Sequence, residues 1–231
     1  MAEWYSGQRP FILGHRGASA AAPENTMAAF HRAQELGADG IEFDVQLSAD
    51  GVPVIFHDRT VDRVTGGSGV VSQMTLAELQ SLEAGDGQTI PTLDDLFTQF
   101  GAAFLYNVEL KSYSGGDGDL AAAVADRILG HQLANQSLVS SFNPWILRRI
   151  RRHLPKQVPI AHLHYFSRGR YKYWLQPCEA IHPHFRLVDE AYMAWARRHQ
   201  WLVNVWTVDD PQEVERLTRL GVTAIIRNVI D

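Results

Sequence analysis

Three short stretches of this 231-residue sequence bring together two histidines, four acids and two bases. That is the set required by metal-assisted cleavage of a phosphate ester. The stretches are Gly14-His15-Arg16-Gly17, then Ile41-Glu42-Phe43-Asp44-Val45-Gln46 with Phe56-His57-Asp58, then Asn107-Val108-Glu109-Leu110-Lys111. Apolar and polar residues alternate from 41 to 46, so a strand there places Glu42, Asp44 and Gln46 on one face. Two carboxylates on a strand that is otherwise apolar are costly to bury without a partner, and a divalent cation supplies one. With Glu109 the set offers only oxygen ligands, which suits Mg²⁺ or Ca²⁺ better than zinc. The competing reading gives each acid a salt bridge to an arginine; three acids beside two histidines favour the cation.

His15 and His57 each sit beside a polar partner in a turn, and an imidazole titrates near neutral pH. The pair can therefore divide proton removal and proton donation. Arg16 and Lys111 are candidates to hold phosphate oxygens, a role compatible with pairing to the same carboxylates. His162, His164, His182 and His184 close two further strands and are secondary candidates for the same site. His31, His131, His153 and His199 read as structural. Asn204 and Trp206 are expected to face inward on a late strand, with Trp206 serving either packing or the wall of a substrate pocket.

The elements that must position these residues alternate along the chain. Strands are expected at 11–14, 40–47, 103–110, 137–142, 158–163, 179–183, 201–206 and 222–227. Helices are expected at 26–36, 93–100, 119–130, 144–153, 167–174, 189–199 and 211–220. Thr92 with Asp95, and Thr75 with Glu78, read as capping boxes, and Asp210-Pro211 with Gly221 brackets the last helix. Eight strands alternating with helices predict a (β/α)8 TIM barrel in one domain spanning 1–231, its polar strand ends converging on one mouth. Residues 48–91 form an insertion after strand two, opening with a tight turn and a short strand over 52–56. Only four residues follow the last strand, so no clear final helix is expected; residues 1–10 or a second copy of the chain are the candidates to cover the gap.

Composition excludes several classes of function. The net charge of −5 argues against nucleic-acid binding. A single cysteine, Cys178, rules out an internal disulfide and fits a reducing compartment. No apolar run approaches a membrane span, and the first residues lack the features of a secretory signal, so the expected location is cytoplasmic.

Taken in order, His15-Arg16-Gly17-Ala18, Ala22-Pro23-Glu24-Asn25-Thr26, Gly40-Ile41-Glu42-Phe43-Asp44-Val45, Asp50-Gly51-Val52-Pro53-Val54 and His57-Asp58 resemble the glycerophosphodiester phosphodiesterase family. The likeness continues through Thr65-Gly66-Gly67, Ile90-Pro91-Thr92-Leu93 and Asn107-Val108-Glu109-Leu110-Lys111, fades after Asn143 and returns at Trp206-Thr207-Val208. The resemblance implies a TIM barrel that hydrolyses glycerophosphodiesters to glycerol 3-phosphate and an alcohol. It implies a divalent ion on Glu42, Asp44 and Glu109, with His15 and His57 as general acid and base. Arg16 and Lys111 match positions associated with phosphate, and Trp206 becomes a candidate wall for the glycerol moiety. One departure concerns the last strand, where the family pattern Gly-Ile-Ile-Thr-Asp-x-Pro is replaced by Ala224-Ile225-Ile226-Arg227-Asn228-Val229-Ile230. This raises the question of whether the barrel closes, and whether Arg227 alters which head group fits. A lysophospholipase D-type enzyme would instead need an apolar groove, for which Tyr165, Phe166, Tyr171, Tyr173 and Trp174 are candidates. A barrel that binds phosphodiesters without cleaving them is the remaining alternative.

Overall fold

The computed structural model describes residue 4 and residues 9–113, 117–165 and 178–230. Its first half runs β1 (Phe11–His15), α1 (Met27–Glu35), β2 (Gly40–Leu47), β3 (Pro53–Ile55), α2 (Leu76–Gln80), α3 (Leu93–Phe100), β4 (Leu105–Leu110) and α4 (Asp117–Gly130). The second half runs β5 (Ser137–Ser141), α5 (Pro144–Ile150), β6 (Ile160–His164), β7 (Ala180–Pro183), α6 (Glu190–Arg198), β8 (Leu202–Val205), α7 (Pro211–Leu220) and β9 (Ala224–Arg227). Eight of these strands are parallel and follow one another round a ring, β9 returning to pair with β1. β3 folds back antiparallel on β2 as a hairpin outside the ring. The architecture is a closed TIM barrel.

Local chemistry sets the helix starts. Thr26 caps α1 by accepting from the Ala29 amide, and both expected capping boxes form at α2 and α3. Asp210 caps α7, Pro211 occupies its first turn, and Gly221 leaves it with φ +76°. Caps of this kind contribute about 1 kcal/mol each.

Alternation along the strands then separates two layers. Leu13, Leu105, Leu138, Ala161, Ala180, Ala224 and Ile226 share the barrel interior with Trp4. Trp4 is 1% exposed and donates its indole N–H to the Gln136 carbonyl at 2.9 Å. Their neighbours in sequence, such as Ile41, Phe43, Tyr106 and Val139, pack outward beneath the helices with Phe30, Phe97 and Ile146. The insertion carries a small core of its own, including Val54, Phe56, Val71, Leu79 and Ile90.

The last strand corrects one expectation. No helix follows β9 among the described residues, yet its outward residue Ile225 is fully buried with Tyr192, Val205 and Leu217. Ile230 joins the main outer core. The chain's own residues thus cover the strand face, while Trp4 plugs the interior and not the flank. Observed elements fall within about three residues of those expected, because strand and helix ends are set by pairing and caps and not by apolar period. The helix expected at 167–174 lies outside the described residues. No helix among them is long and apolar enough to cross a membrane.

Candidate active site

β1 delivers His15 to the rim, and the turn that follows is tight. Arg16 and Gly17 both take positive φ, 56° and 81°. A Cβ on Gly17 would stand 2.7 Å from the Ala29 carbonyl carbon, so only glycine fits against α1. The turn directs the Arg16 amide to Glu42 at 3.2 Å and its guanidinium to Glu24 at 2.9 Å and Asp44 at 3.5 Å. Asn25, also at positive φ, donates its amide N–H to Asp44 at 2.8 Å.

Strand register assembles the acids. β2 sets Asp44 opposite Glu109 on β4, and β1 sets His15 opposite Glu42. Glu42, Asp44 and Glu109 offer oxygens that all lie within 4.8 Å of one another, with exposures of 4%, 1% and 7%. Lys111, two residues beyond Glu109, bridges Glu109 at 2.6 Å and Asp44 at 3.0 Å. Burial pushes the Glu42 carboxyl well above the ordinary range, and the Asp44 charge adds to the shift. Burial likewise raises Glu109, against the pull of Lys111. Burial would raise Asp44 too, but the charges of Lys111, His57 and Arg16 outweigh it and hold Asp44 low. Three carboxylates thus face two bases, one of them shared with Glu24, and two of the acids are pushed toward neutrality. A buried, oxygen-only set short of positive charge fits a hard divalent cation.

His57 follows β3 and is held from several sides. The Gln46 side chain donates to the carbonyls of Phe56 at 2.8 Å and Asp58 at 2.7 Å, and the Tyr113 hydroxyl donates to the His57 carbonyl at 2.8 Å. The imidazole Nδ1 meets the Asp58 carboxylate at 2.6 Å. Arg63 bonds both Asp58 and Glu24, at 2.5 and 2.6 Å, and so links the support of His57 to the support of Arg16. Burial lowers the pKa of both histidines, with Arg16 adding to the effect at His15 and Lys111 at His57.

These groups open onto one cavity of about 170 Å³. His15, Arg16, Glu42, His57, Asn107, Glu109 and Lys111 form its polar wall, and Phe142, Leu163, Tyr165, Trp206 and Ile226 its apolar wall. Asp44 lies just beneath, joined to it through Arg16 and Lys111. His15, His57, Glu42, Asp44, Glu109, Arg16, Lys111 and Trp206 are therefore all in or directly under one mouth. The Trp206 ring meets Tyr165 at 4.7 Å and Phe142 at 5.5 Å, both edge to face.

The secondary histidines divide differently from expectation. Ala161 and Leu163 take the inward positions on β6, so His162 and His164 point to the helix layer, where His164 bonds the Tyr192 hydroxyl of α6 at 2.9 Å. His182 faces inward but is fully buried below the mouth, its Nε2 2.9 Å from the Asn204 amide nitrogen. Burial drives its pKa down to about 3. Of the four, His184 reaches the rim, stacked on Tyr165. Arg227 is turned away from the cavity and buried, its guanidinium 3.5 Å from the Asp209 carbonyl. Among the larger aromatic candidates, Tyr165 is described and is 64% exposed, whereas Phe166, Tyr171, Tyr173 and Trp174 lie outside the described residues.

Several contributors went unassigned from sequence: Glu24, Asn25, Asp58, Arg63, Asp209 and Asn228. Glu24, Asn25 and Asp58 fall inside motifs noted above, which was the available signal. Asn228 falls in the last-strand departure noted above, whereas Arg63 and Asp209 carry no local pattern that separates them from surface polar residues.

Comparison with known proteins agrees with this geometry. Residues 15–231 match the family model described as the glycerophosphoryl diester phosphodiesterase family. A glycerophosphodiester phosphodiesterase of Caldanaerobacter subterraneus subsp. tengcongensis is 36% identical over 234 residues, covering 94% of this chain and 93% of that protein. An Oleispira antarctica phosphodiesterase solved in complex with the product sn-glycerol-3-phosphate superposes with a TM-score of 0.87 at 30% identity, over 98% of this chain and 96% of that one. The glycerophosphodiester phosphodiesterase of Thermotoga maritima gives a TM-score of 0.80 at 26% identity, over 97% and 96%.

Proposed function

Because the chain belongs to the glycerophosphoryl diester phosphodiesterase family and is a phosphodiesterase, we propose that it hydrolyses small glycerophosphodiesters, such as glycerophosphocholine or glycerophosphoethanolamine, to glycerol 3-phosphate and the free alcohol. The observation that carries this reading is one cavity in which His15 and His57 border a buried trio of acids. Glu42, Asp44 and Glu109 would hold Mg²⁺ or Ca²⁺. Bound there, a divalent ion supplies positive charge where the phosphate sits and fixes its orientation.

The protein's own groups do the rest. Arg16 and Lys111 present charge to the non-bridging phosphate oxygens. The attacking oxygen belongs to water or to the neighbouring glycerol hydroxyl, the second route passing through a cyclic phosphate. One imidazole takes the attacker's proton; the other gives a proton to the departing alcohol as its bond to phosphorus breaks. Trp206 walls the glycerol moiety.

The test is release of glycerol 3-phosphate from a panel of glycerophosphodiesters. Activity should vanish with chelator and return with Mg²⁺ or Ca²⁺, and His15→Ala and His57→Ala should each fold yet lose about 10²–10⁴ in turnover. Full turnover under chelation would remove the metal from the reading, and near-normal turnover of either variant would remove that histidine. Exposed Tyr165 and Phe142, packed on half-buried Trp206, support a second reading, a lysophospholipase D-type substrate with one acyl chain. Relative rates on glycerophosphocholine and its acylated form separate the two.

A further inference from the structure

We infer that Asn228, clamped by Asp209, is the positioning residue that fixes the tautomer and direction of His15. The departure noted in the last strand therefore bears on proton transfer and not on barrel closure. β9 pairs with β1 and brings residue 228 beside residue 15. The Asp209 carboxylate accepts from the Asn228 side-chain NH₂ at 2.7 Å, from the Asn228 backbone N–H at 2.8 Å and from the Val229 N–H at 3.2 Å. A carboxylate only accepts, so the Asn228 amide must turn its NH₂ toward Asp209 and its oxygen away. That oxygen lies 2.7 Å from His15 Nδ1 and accepts from the Ser19 hydroxyl at 3.0 Å. Flipping the amide would set its oxygen against the Asp209 carboxylate, two acceptors with no proton between them.

An amide oxygen offers only lone pairs, so the proton of a neutral His15 resides on Nδ1. Nε2 is left with its lone pair directed into the cavity, 4.0 Å from the Glu42 carboxylate. Through Asn228, Asp209 thus presents His15 as a proton acceptor. His57 is supported differently, by the carboxylate of Asp58. This inference rests on the reading that His15 moves a proton in phosphodiester cleavage, but the tautomer itself can be observed without turnover.

The experiment compares wild type, Asn228→Ala, the exchanged pair Asp209→Asn/Asn228→Asp, and His15→Ala as reference, with glycerophosphocholine as the probe. Two-bond ¹H–¹⁵N spectra of histidine-labelled protein should show His15 protonated on Nδ1 in wild type, with that population falling in Asn228→Ala. Asn228→Ala should lose about 10²–10⁴ in kcat, the scale of what a positioned general acid or base contributes. Its KM should stay within about threefold, because substrate binding is untouched. The exchanged pair keeps an oxygen at Nδ1 and a donor between the two side chains, so it should recover to within about tenfold of wild-type kcat. The inference is overturned if Asn228→Ala keeps the wild-type tautomer or kcat. It is equally overturned if the folded exchanged pair is as slow as Asn228→Ala. An active His15→Ala would instead sink the underlying reading, leaving the spectra to judge Asn228 alone.

Discussion

Lys111 occupies the position of greatest consequence for a single side chain, since its ammonium lies against two of the three acids proposed to hold the ion. Burial would lower its pKa, but Asp44 and Glu109 outweigh that and keep it charged. Lys111→Met should therefore destabilise the metal-free protein by about 3–5 kcal/mol, the cost of leaving buried charges unpaired. The same change removes a competing cation, so Ca²⁺ or Mg²⁺ should bind the variant more tightly and raise its Tm more than that of wild type, while turnover falls. Calorimetric titration beside thermal melts checks this; weaker ion binding in Lys111→Met would place the ion elsewhere. At this scale the sequence was readable wherever a chemical group sat on a periodic strand. Strand alternation alone put Glu42 and Asp44 on one face and Glu109 with Lys111 on another. It could not show what Asn228 or Arg63 would touch, since their partners stand 213 and 39 residues away. His162 and His164 show the opposite failure, since nothing in the local pattern said which face of β6 looked inward.

Among the elements, the insertion after β2 matters most to the chemistry. It carries its own apolar core, and Arg63 ties it to the β1 turn through Asp58 and Glu24. Arg63 is half exposed, so these ion pairs should contribute no more than about 1 kcal/mol to stability. Their effect should appear in alignment instead. Arg63→Ala should leave the urea midpoint nearly unchanged while lowering kcat about tenfold, the scale expected when a positioning contact to a reactive group is lost. A large loss of stability with unchanged kcat would make Arg63 a structural clamp only. The capping boxes at Thr75 and Thr92 were legible because caps are local, whereas strand ends slipped because partners far along the chain decide where pairing stops.

Taken as a whole, the molecule is a ring filled by side chains and closed below by Trp4. Trp4→Ala should cost about 3–5 kcal/mol, as for other buried tryptophans, without changing KM. Buried histidines add an acid sensitivity. Burial keeps His182 neutral in the folded protein down to about pH 3, while in the unfolded chain it takes a proton near its ordinary 6.5. Between those values the unfolded state binds one more proton, so this contribution is intact above about pH 6.5 and is lost as pH falls toward 3. The slope from this group is at most about 1.4 kcal/mol per pH unit. Urea midpoints at pH 7 and pH 5 should therefore fall less for His182→Gln than for wild type, and equal falls would exclude His182 as the acid-labile group.

Ring closure has one more consequence. His15 ends β1 and Asn228 follows β9, so the proposed acid–base centre is completed by the seam that seals the ring. Cleavage should therefore lag behind the burial of tryptophan during refolding. A phosphodiesterase built this way should report its own assembly, gaining turnover only once β1 and β9 have paired.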